Sequence, residues 1–177
     1  MLFRSDFGGL DNFMEGEGRK GHFNGVATIV EKLFRIISPE KAFFGEKDLQ
    51  QLQIIKYISK QLQIPIEIIG IPTKREESGL AMSSRNKLLS ETGIQKATLI
   101  YQTLKYIKEN SDNFTVDQLK KIAIEKFSHQ TDVNLEYLEI VSLEKLQPIS
   151  EFKDANENAA CIAASISSVR LIDNIIF

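Results

Sequence analysis

Two short stretches of this chain combine residue types suited to phosphate chemistry. In FFGEKDLQQL, residues 43–52, two aromatics lead into a Gly-Glu-Lys-Asp turn and then into an apolar helical pattern. Gly45 permits close backbone approach, and the unpaired amides and dipole of a helix start favour an anion. Lys47 adds a full positive charge. The same residues also satisfy a purely structural reading, because Asp48-x-x-Gln51 has the form of a capping box and needs no ligand. Local chemistry leaves both open. The glycine and lysine spacing is not that of a Walker A loop.

The second stretch is GLAMSSRN, residues 79–86, with two adjacent hydroxyls at Ser83 and Ser84 beside the Arg85 guanidinium. Hydroxyls and a bidentate arginine suit phosphate oxygens, whereas turn-forming serines and an N-cap are common on any surface. Other candidates are weaker. Gly16, Gly18 and Gly21 match the spacing of the dinucleotide fingerprint, but FGGLDNFME before them is not a convincing strand, so a glycine-rich mobile loop is the better reading. His22 closes that loop and could meet an anionic ligand or take part in proton transfer, or simply bond its own loop. His129 reads as a dipole partner at a helix C-terminus. Cys161, the one cysteine, excludes an intramolecular disulfide and sits in AACIAASI as a buried small hydrophobe. Two separated histidines and no clustered carboxylates give no protein metal site.

The elements that must position these residues follow from periodicity. Val26, Ile29, Val30, Leu33, Phe34 and Ile37 fall on one helical stripe ending at Ser38-Pro39. Lys41 to Phe44 reads as a short buried strand. A helix carrying Leu52, Ile55 and Ile58 or Leu62 follows, and then an isoleucine-rich strand from Ile66 to Ile71, as expected of a strand covered on both faces. These three make a βαβ unit with a parallel sheet and a right-handed crossover. Both phosphate-suited loops therefore follow the carboxyl ends of strands, where open α/β sheets bind ligands. A nucleotide is the leading expectation.

Residues 73–87 read as a long polar loop. A helix is expected from Ser90 to Asn110, with Ile94, Ala97, Tyr101 and Leu104 in register, and a capping box at Thr115-Val-Asp-Gln118 opens another reaching His129. YLEIV, CIAASI and VRLIDNII then read as strands, the last two joined near Ser167-Ser168. Two parallel strands are too few for a stable open sheet, so the chain reads as though it starts part-way into an α/β domain.

Composition fits these expectations. The 177 residues are 42% hydrophobic and 26% charged, with 22 basic against 24 acidic side chains and a net charge of -2, so no basic footprint points to nucleic acid. No apolar run approaches the length of a membrane span, and MLFRSDFGGLDNF lacks a signal-peptide core, so a soluble cytoplasmic protein is expected.

Taken together, RKGHFNGVATIVEKLF, FFGEKDLQQL, IEIIGIPTKREESGLAMSSRN and the terminal RLIDN resemble the pantothenate synthetase family, the pantoate–β-alanine ligases. The resemblance covers nearly the whole chain from about Leu10 onward. It implies a partial Rossmann-like nucleotidyltransferase fold over residues 1–86, the C-terminal part of the ATP and pantoate domain, followed by a small α+β lid domain over residues 87–177.

The roles that the resemblance implies are these. Gly45, Glu46, Lys47 and Asp48 would lie along ATP, and Gln51 would hydrogen-bond pantoate. The Lys74 backbone would meet adenine, and Met82, Ser83, Ser84 and Arg85 would form a mobile phosphate loop. Lys47, Ser83, Ser84 and Arg85 would carry the catalysis. Arg19 and His22 match a basic flap, with Lys20 standing where the family usually has proline, which implies a looser flap. The implied reaction is ATP-dependent ligation of pantoate and β-alanine through pantoyl adenylate, with Mg2+ entering on ATP, and the implied assembly is a homodimer.

One departure is serious: the family's H-x-G-H histidine pair is missing, since the two histidines here are His22 and His129. The expectation is therefore a C-terminal portion that needs an N-terminal half for full activity. The competing expectations are a non-catalytic binding or assembly module on the same fold segment, and another adenylating enzyme of the nucleotidyltransferase superfamily.

Overall fold

A computed structural model of the chain describes residues 6–177; the first five residues of the expected N-terminal domain lie outside the described residues. The chain forms two compact units, residues 1–72 with Lys145–Gln147, and residues 73–144 with 148–177. The sequence reading places the change at residue 86, so residues 73–86 are the difference. Their Arg75 is bonded to Asp173 of the second unit, which is why they group with it.

In the first unit, a short helix α1 (Met14–Gly18) and a long helix α2 (His22–Ile37) precede strand β1 (Lys41–Gly45), a 3-10 turn (Glu46–Asp48), helix α3 (Leu49–Gln61) and strand β2 (Glu67–Ile71). Strands β1 and β2 are parallel, in register from Lys41 opposite Glu67 to Gly45 opposite Ile71, as the βαβ pattern requires. α2 ends where expected: Ser38 adopts a left-handed conformation before Pro39, and its amide caps the Phe34 carbonyl.

α3 buries Leu49, Leu52, Ile54, Ile55 and Ile58, the face its periodicity marks, while Leu62 is left exposed. Two expectations differ. The buried face of α2 is Phe23, Ala27 and Phe34, and Ile29, Leu33 and Ile37 of the predicted stripe are exposed. β1 and β2 are likewise only half-covered, with Phe43 63% exposed. Helical and strand periods identify which residues share a face; they do not identify what covers that face.

The second unit is an antiparallel sheet of order β3-β4-β5 with two helices on one face. Its elements are α4 (Glu91–Glu109), α5 (Val116–Ser128), β3 (Val133–Ser142), β4 (Asn158–Ile166) and β5 (Val169–Ile176). Ser90 caps α4 by accepting the Gly93 amide, and Thr115 and Gln118 form the reciprocal capping box of α5. Ile100, Leu104, Ile107, Leu119 and Phe127 pack on Ile140, Ile162, Ile166 and Leu171. Ala160 and Ala164 of β4 are on the same face and let the helices approach closely.

The region read as a long polar loop has more structure than expected. An antiparallel bridge joins Arg75 and Ala81, Gly79 turns at a left-handed φ of 87°, and residues Ser84–Leu88 form a 3-10 helix. The parallel βαβ followed by a small α+β unit is the architecture that the sequence implies.

Candidate functional site

The Gly-Glu-Lys-Asp residues lie where β1 ends and α3 begins. Gly45 has ordinary extended dihedrals, φ -67° and ψ 131°, and a Cβ there would meet nothing within 4 Å. Neither conformation nor packing requires a glycine, so what its missing side chain leaves is open space in front of the backbone. Glu46 turns back over the sheet: a Cβ on Gly70 of β2 would lie 2.8 Å from its Oε1.

The capping box expected at Asp48 and Gln51 is not formed. Asp48 is the residue before α3, yet its side chain makes no capping bond, because the 3-10 turn sets it at φ -94° and ψ 56°. Its charge acts instead on His22. Partial burial and the Arg19 guanidinium lower the His22 pKa from its ordinary value, while the carboxylates of Glu15 and Asp48 oppose them. Arg19, His22 and the Asp48 turn therefore share one electrostatic neighbourhood. Arg19 is exposed and 3.5 Å from Glu15.

One residue of this first unit was not singled out by the sequence reading. Gln50 is buried, donates from Nε2 to the carbonyls of Leu10 at 2.7 Å and Phe13 at 2.9 Å, and accepts the Glu15 amide at 3.0 Å. It ties α3 to the start of α1, and so holds the segment that leads into Arg19 and His22. A polar residue among the buried positions of α3 is the signal that could have found it.

On the second unit, the expected phosphate loop is built around a short hairpin. The Met82 amide donates to the Lys74 carbonyl at 2.9 Å, and Asn86 Nδ2 reaches the Ala81 carbonyl at 3.1 Å. Ser83 Oγ accepts the Arg85 amide at 3.2 Å as an N-cap, and Arg85 Nη1 donates to the Arg170 carbonyl at 3.2 Å. Met82, Ser84 and Arg85 are exposed. Ser83 is thus an N-cap, and it fixes the backbone that presents Ser84 and Arg85.

Arg75, Tyr101 and Asp173 were also missed as partners. Asp173 is 3% exposed and paired with Arg75. The sequence carries a signal for it: in VRLIDNII, Val169, Leu171 and Asp173 alternate on one side of a strand, and a carboxylate in a core-facing register demands a cation.

His129 caps the exposed C-terminus of α5, 4.0 Å from Glu125. Cys161 is buried, as expected, and its thiol is pushed up to about 12, chiefly by burial. Among the described residues, no strand precedes Gly16, Gly18 and Gly21: residues 14–18 are helical, and Gly21 precedes α2 with φ 81°. Among the described residues, no group of three or more His, Cys, Asp and Glu is placed to hold a metal, and no helix is long and apolar enough to cross a membrane.

Comparison with known proteins gives a consistent answer. Residues 4–176 match the model of a family described as pantoate-beta-alanine ligase. The chain is 46% identical over 173 residues to a pantothenate synthetase of Cytophaga hutchinsonii, covering 97% of this chain and 61% of that protein. It is 44% identical to the Christiangramia forsetii pantothenate synthetase, covering 96% and 60%. Among solved structures, pantothenate synthetase from Thermus thermophilus superposes with a TM-score of 0.88 at 38% identity, over 94% of this chain and 60% of that one. The Francisella tularensis pantoate-beta-alanine ligase, complexed with beta-gamma ATP and beta-alanine, gives 0.69 at 35% identity, over 94% and 55%. The chain spans 61% and 60% of the length of the two curated relatives named above.

Proposed function

The chain belongs to the pantoate-beta-alanine ligase family, and from that premise we propose that it supplies the ATP-handling portion of a pantothenate synthetase. The reaction joins pantoate to β-alanine in two steps. The pantoate carboxylate attacks the α-phosphorus of ATP, the bond to the β-phosphate breaks, and pyrophosphate leaves with its electron pair. The β-alanine amine then attacks the acyl carbon, loses a proton, and AMP departs.

The observation that carries this reading is Gly45, an unstrained glycine with open space before it, with a lysine two residues on and then a helix start. On the first unit, the backbone at Gly45 lets a polyphosphate approach, Lys47 neutralises it, and Glu46 and Asp48 line its course. Gln51, in the first turn of α3, hydrogen-bonds pantoate. Arg19 and His22 stand as a basic flap. On the second unit, the Lys74 backbone meets adenine, and Met82, Ser83, Ser84 and Arg85 take the phosphates. Charge builds on phosphate oxygens as the reaction proceeds, so fixed cations and hydroxyls supply most of the stabilisation. Mg2+ would enter as part of the ATP substrate and would offset phosphate charge alongside Lys47 and Arg85. Residues 1–86 act as part of the ATP and pantoate domain, and residues 87–177 as the lid.

The test is pantoate-dependent ATP–pyrophosphate exchange, on the chain alone and on the chain supplied with the rest of the relatives' length. Exchange is expected in the supplemented preparation, and Lys47→Ala should lower it about 100-fold, the scale of losing one stabiliser of developing oxyanion charge. Pantoate affinity should change little. No exchange in either preparation, or an unaltered rate in Lys47→Ala, overturns the assignment.

A further inference from the structure

Within the second unit, one guanidinium ties three elements together. Arg75 Nη1 donates to Asp173 Oδ2 at 2.6 Å and Nη2 to Oδ1 at 3.1 Å, a two-pronged pair with a carboxylate on β5. Nη2 also reaches the Asn174 carbonyl at 3.1 Å, and Nη1 the Gly79 carbonyl at 3.2 Å. The Cζ of the group lies over the Tyr101 ring on α4, 3.9 Å from its centre. Gly79 completes the fit, since a Cβ there would run into the Tyr101 ring.

A pair of this kind contributes geometry more than stability. Taking both charges out of water costs roughly what their attraction returns, and apolar replacements of equal volume often leave a fold as stable. A planar fork on a carboxylate, stacked on an aromatic face, does fix the orientation of the backbone that carries it. That backbone is one residue from the candidate loop: Arg75 bridges Ala81, and the carbonyl of neighbouring Lys74 accepts the Met82 amide. The far end of the loop is attached to the same strand through Arg85 and the Arg170 carbonyl. A tilt of Arg75 is thus passed directly to Met82 and Ser83.

We propose that Arg75, oriented by Asp173 and Tyr101, is a positioning residue that sets the angle at which Met82–Arg85 meets the phosphates of ATP. This rests on the reading of that loop given above. It joins two segments far apart in the chain: the terminal RLIDN contributes the counter-ion, and the signature loop contributes the ligand contacts.

The experiment uses Asp173→Asn, which keeps the shape but removes the charge, and Arg75→Lys, which keeps the charge but removes the fork. Amide hydrogen exchange is read at Gly79 and Met82, whose N–H groups donate to the Glu76 and Lys74 carbonyls. ATP affinity and the KM values for pantoate and β-alanine are read in the supplemented preparation. Expected are exchange at least ~10-fold faster at both amides and ATP binding weakened ~10-fold or more, with the other two KM values unchanged. Should Asp173→Asn fail to fold, Tyr101→Leu leaves the ion pair in place and should give the same pattern more weakly. Unchanged amides overturn the proposal, as do loosened amides with unaltered ATP affinity, and as does a lower Tm with every KM unchanged. A wild-type preparation that does not bind ATP at millimolar concentration overturns the functional reading itself and the proposal with it.

Discussion

Gln50 Oε1 accepts the backbone amide of Glu15, 35 residues earlier, at 3.0 Å, and so caps a helix to which it does not belong. The first amides of any helix lack intrahelical partners, and Phe13 before α1 provides no side-chain cap. Gln50→Ala would strand that amide and the Leu10 carbonyl in a buried place, while the Phe13 carbonyl keeps the Gly16 amide. The expected loss is on the order of 3 kcal/mol. It should appear as a lower denaturant midpoint with an unchanged m-value. A midpoint within error of the wild type would show that α1 is held by other means.

His22 should respond to its neighbours in a defined direction. Its pKa lies below the ordinary value because of partial burial and Arg19, against Glu15 and Asp48. With a folded pKa below the unfolded one, the unfolded state takes up the proton first as pH falls. The His22 contribution to stability is therefore intact above about 6.5 and is lost as pH drops through the folded value. Arg19→Gln removes one of the lowering influences and should raise the His22 midpoint, read from its Cε1 proton by NMR. A midpoint that stays or falls would mean that Arg19 does not act on the ring.

The sequence shows these matters unevenly, for physical reasons. Element types, the parallel pairing, the α5 capping box and the β4–β5 hairpin all follow from short-range patterns, and they occur where periodicity and turn chemistry place them. Coverage is a long-range property, so Ile29 and Phe43 read as buried yet are exposed. Asp48-x-x-Gln51 had the residue types for a capping box, but a 3-10 turn took the backbone out of capping geometry. Arg75 and Asp173 are 98 residues apart, and no local pattern pairs them. Only the register of β5, with a carboxylate where a hydrophobe belongs, announces that a partner is needed.

Cys161 should behave as a buried hydrophobe. Burial, with lesser contributions from Asp173 and Glu139, pushes its thiol from 9.0 up to about 12. The folded chain should resist an aromatic disulfide reagent at pH 8 and release one equivalent of thiol only on unfolding. Because the folded state keeps its proton longer, stability should also decline as pH rises from 9 towards 12. Prompt stoichiometric labelling of the folded chain would contradict this.

Gly70 offers a way to test Glu46 without touching it. A Cβ on Gly70 would lie 2.8 Å from Glu46 Oε1, 3.2 Å from its Cγ and 3.1 Å from Leu52 Cδ2. The nearest of these atoms belongs to the far end of a flexible side chain, so Gly70→Ala can be accommodated by swinging Glu46 off the strand. Removing a glycine from a strand favours folding slightly, which offsets part of the crowding at Leu52. Stability should therefore move by no more than about 1 kcal/mol. If Glu46 lies along ATP as proposed, exchange activity should nonetheless fall about 10-fold, with the KM for ATP raised more than that for pantoate. Glu46→Gln should then add little on top of Gly70→Ala, because both act on the same side chain. Additive losses in the double variant would show that Gly70→Ala does not act through Glu46, and full activity in both single variants would remove Glu46 from the ATP site.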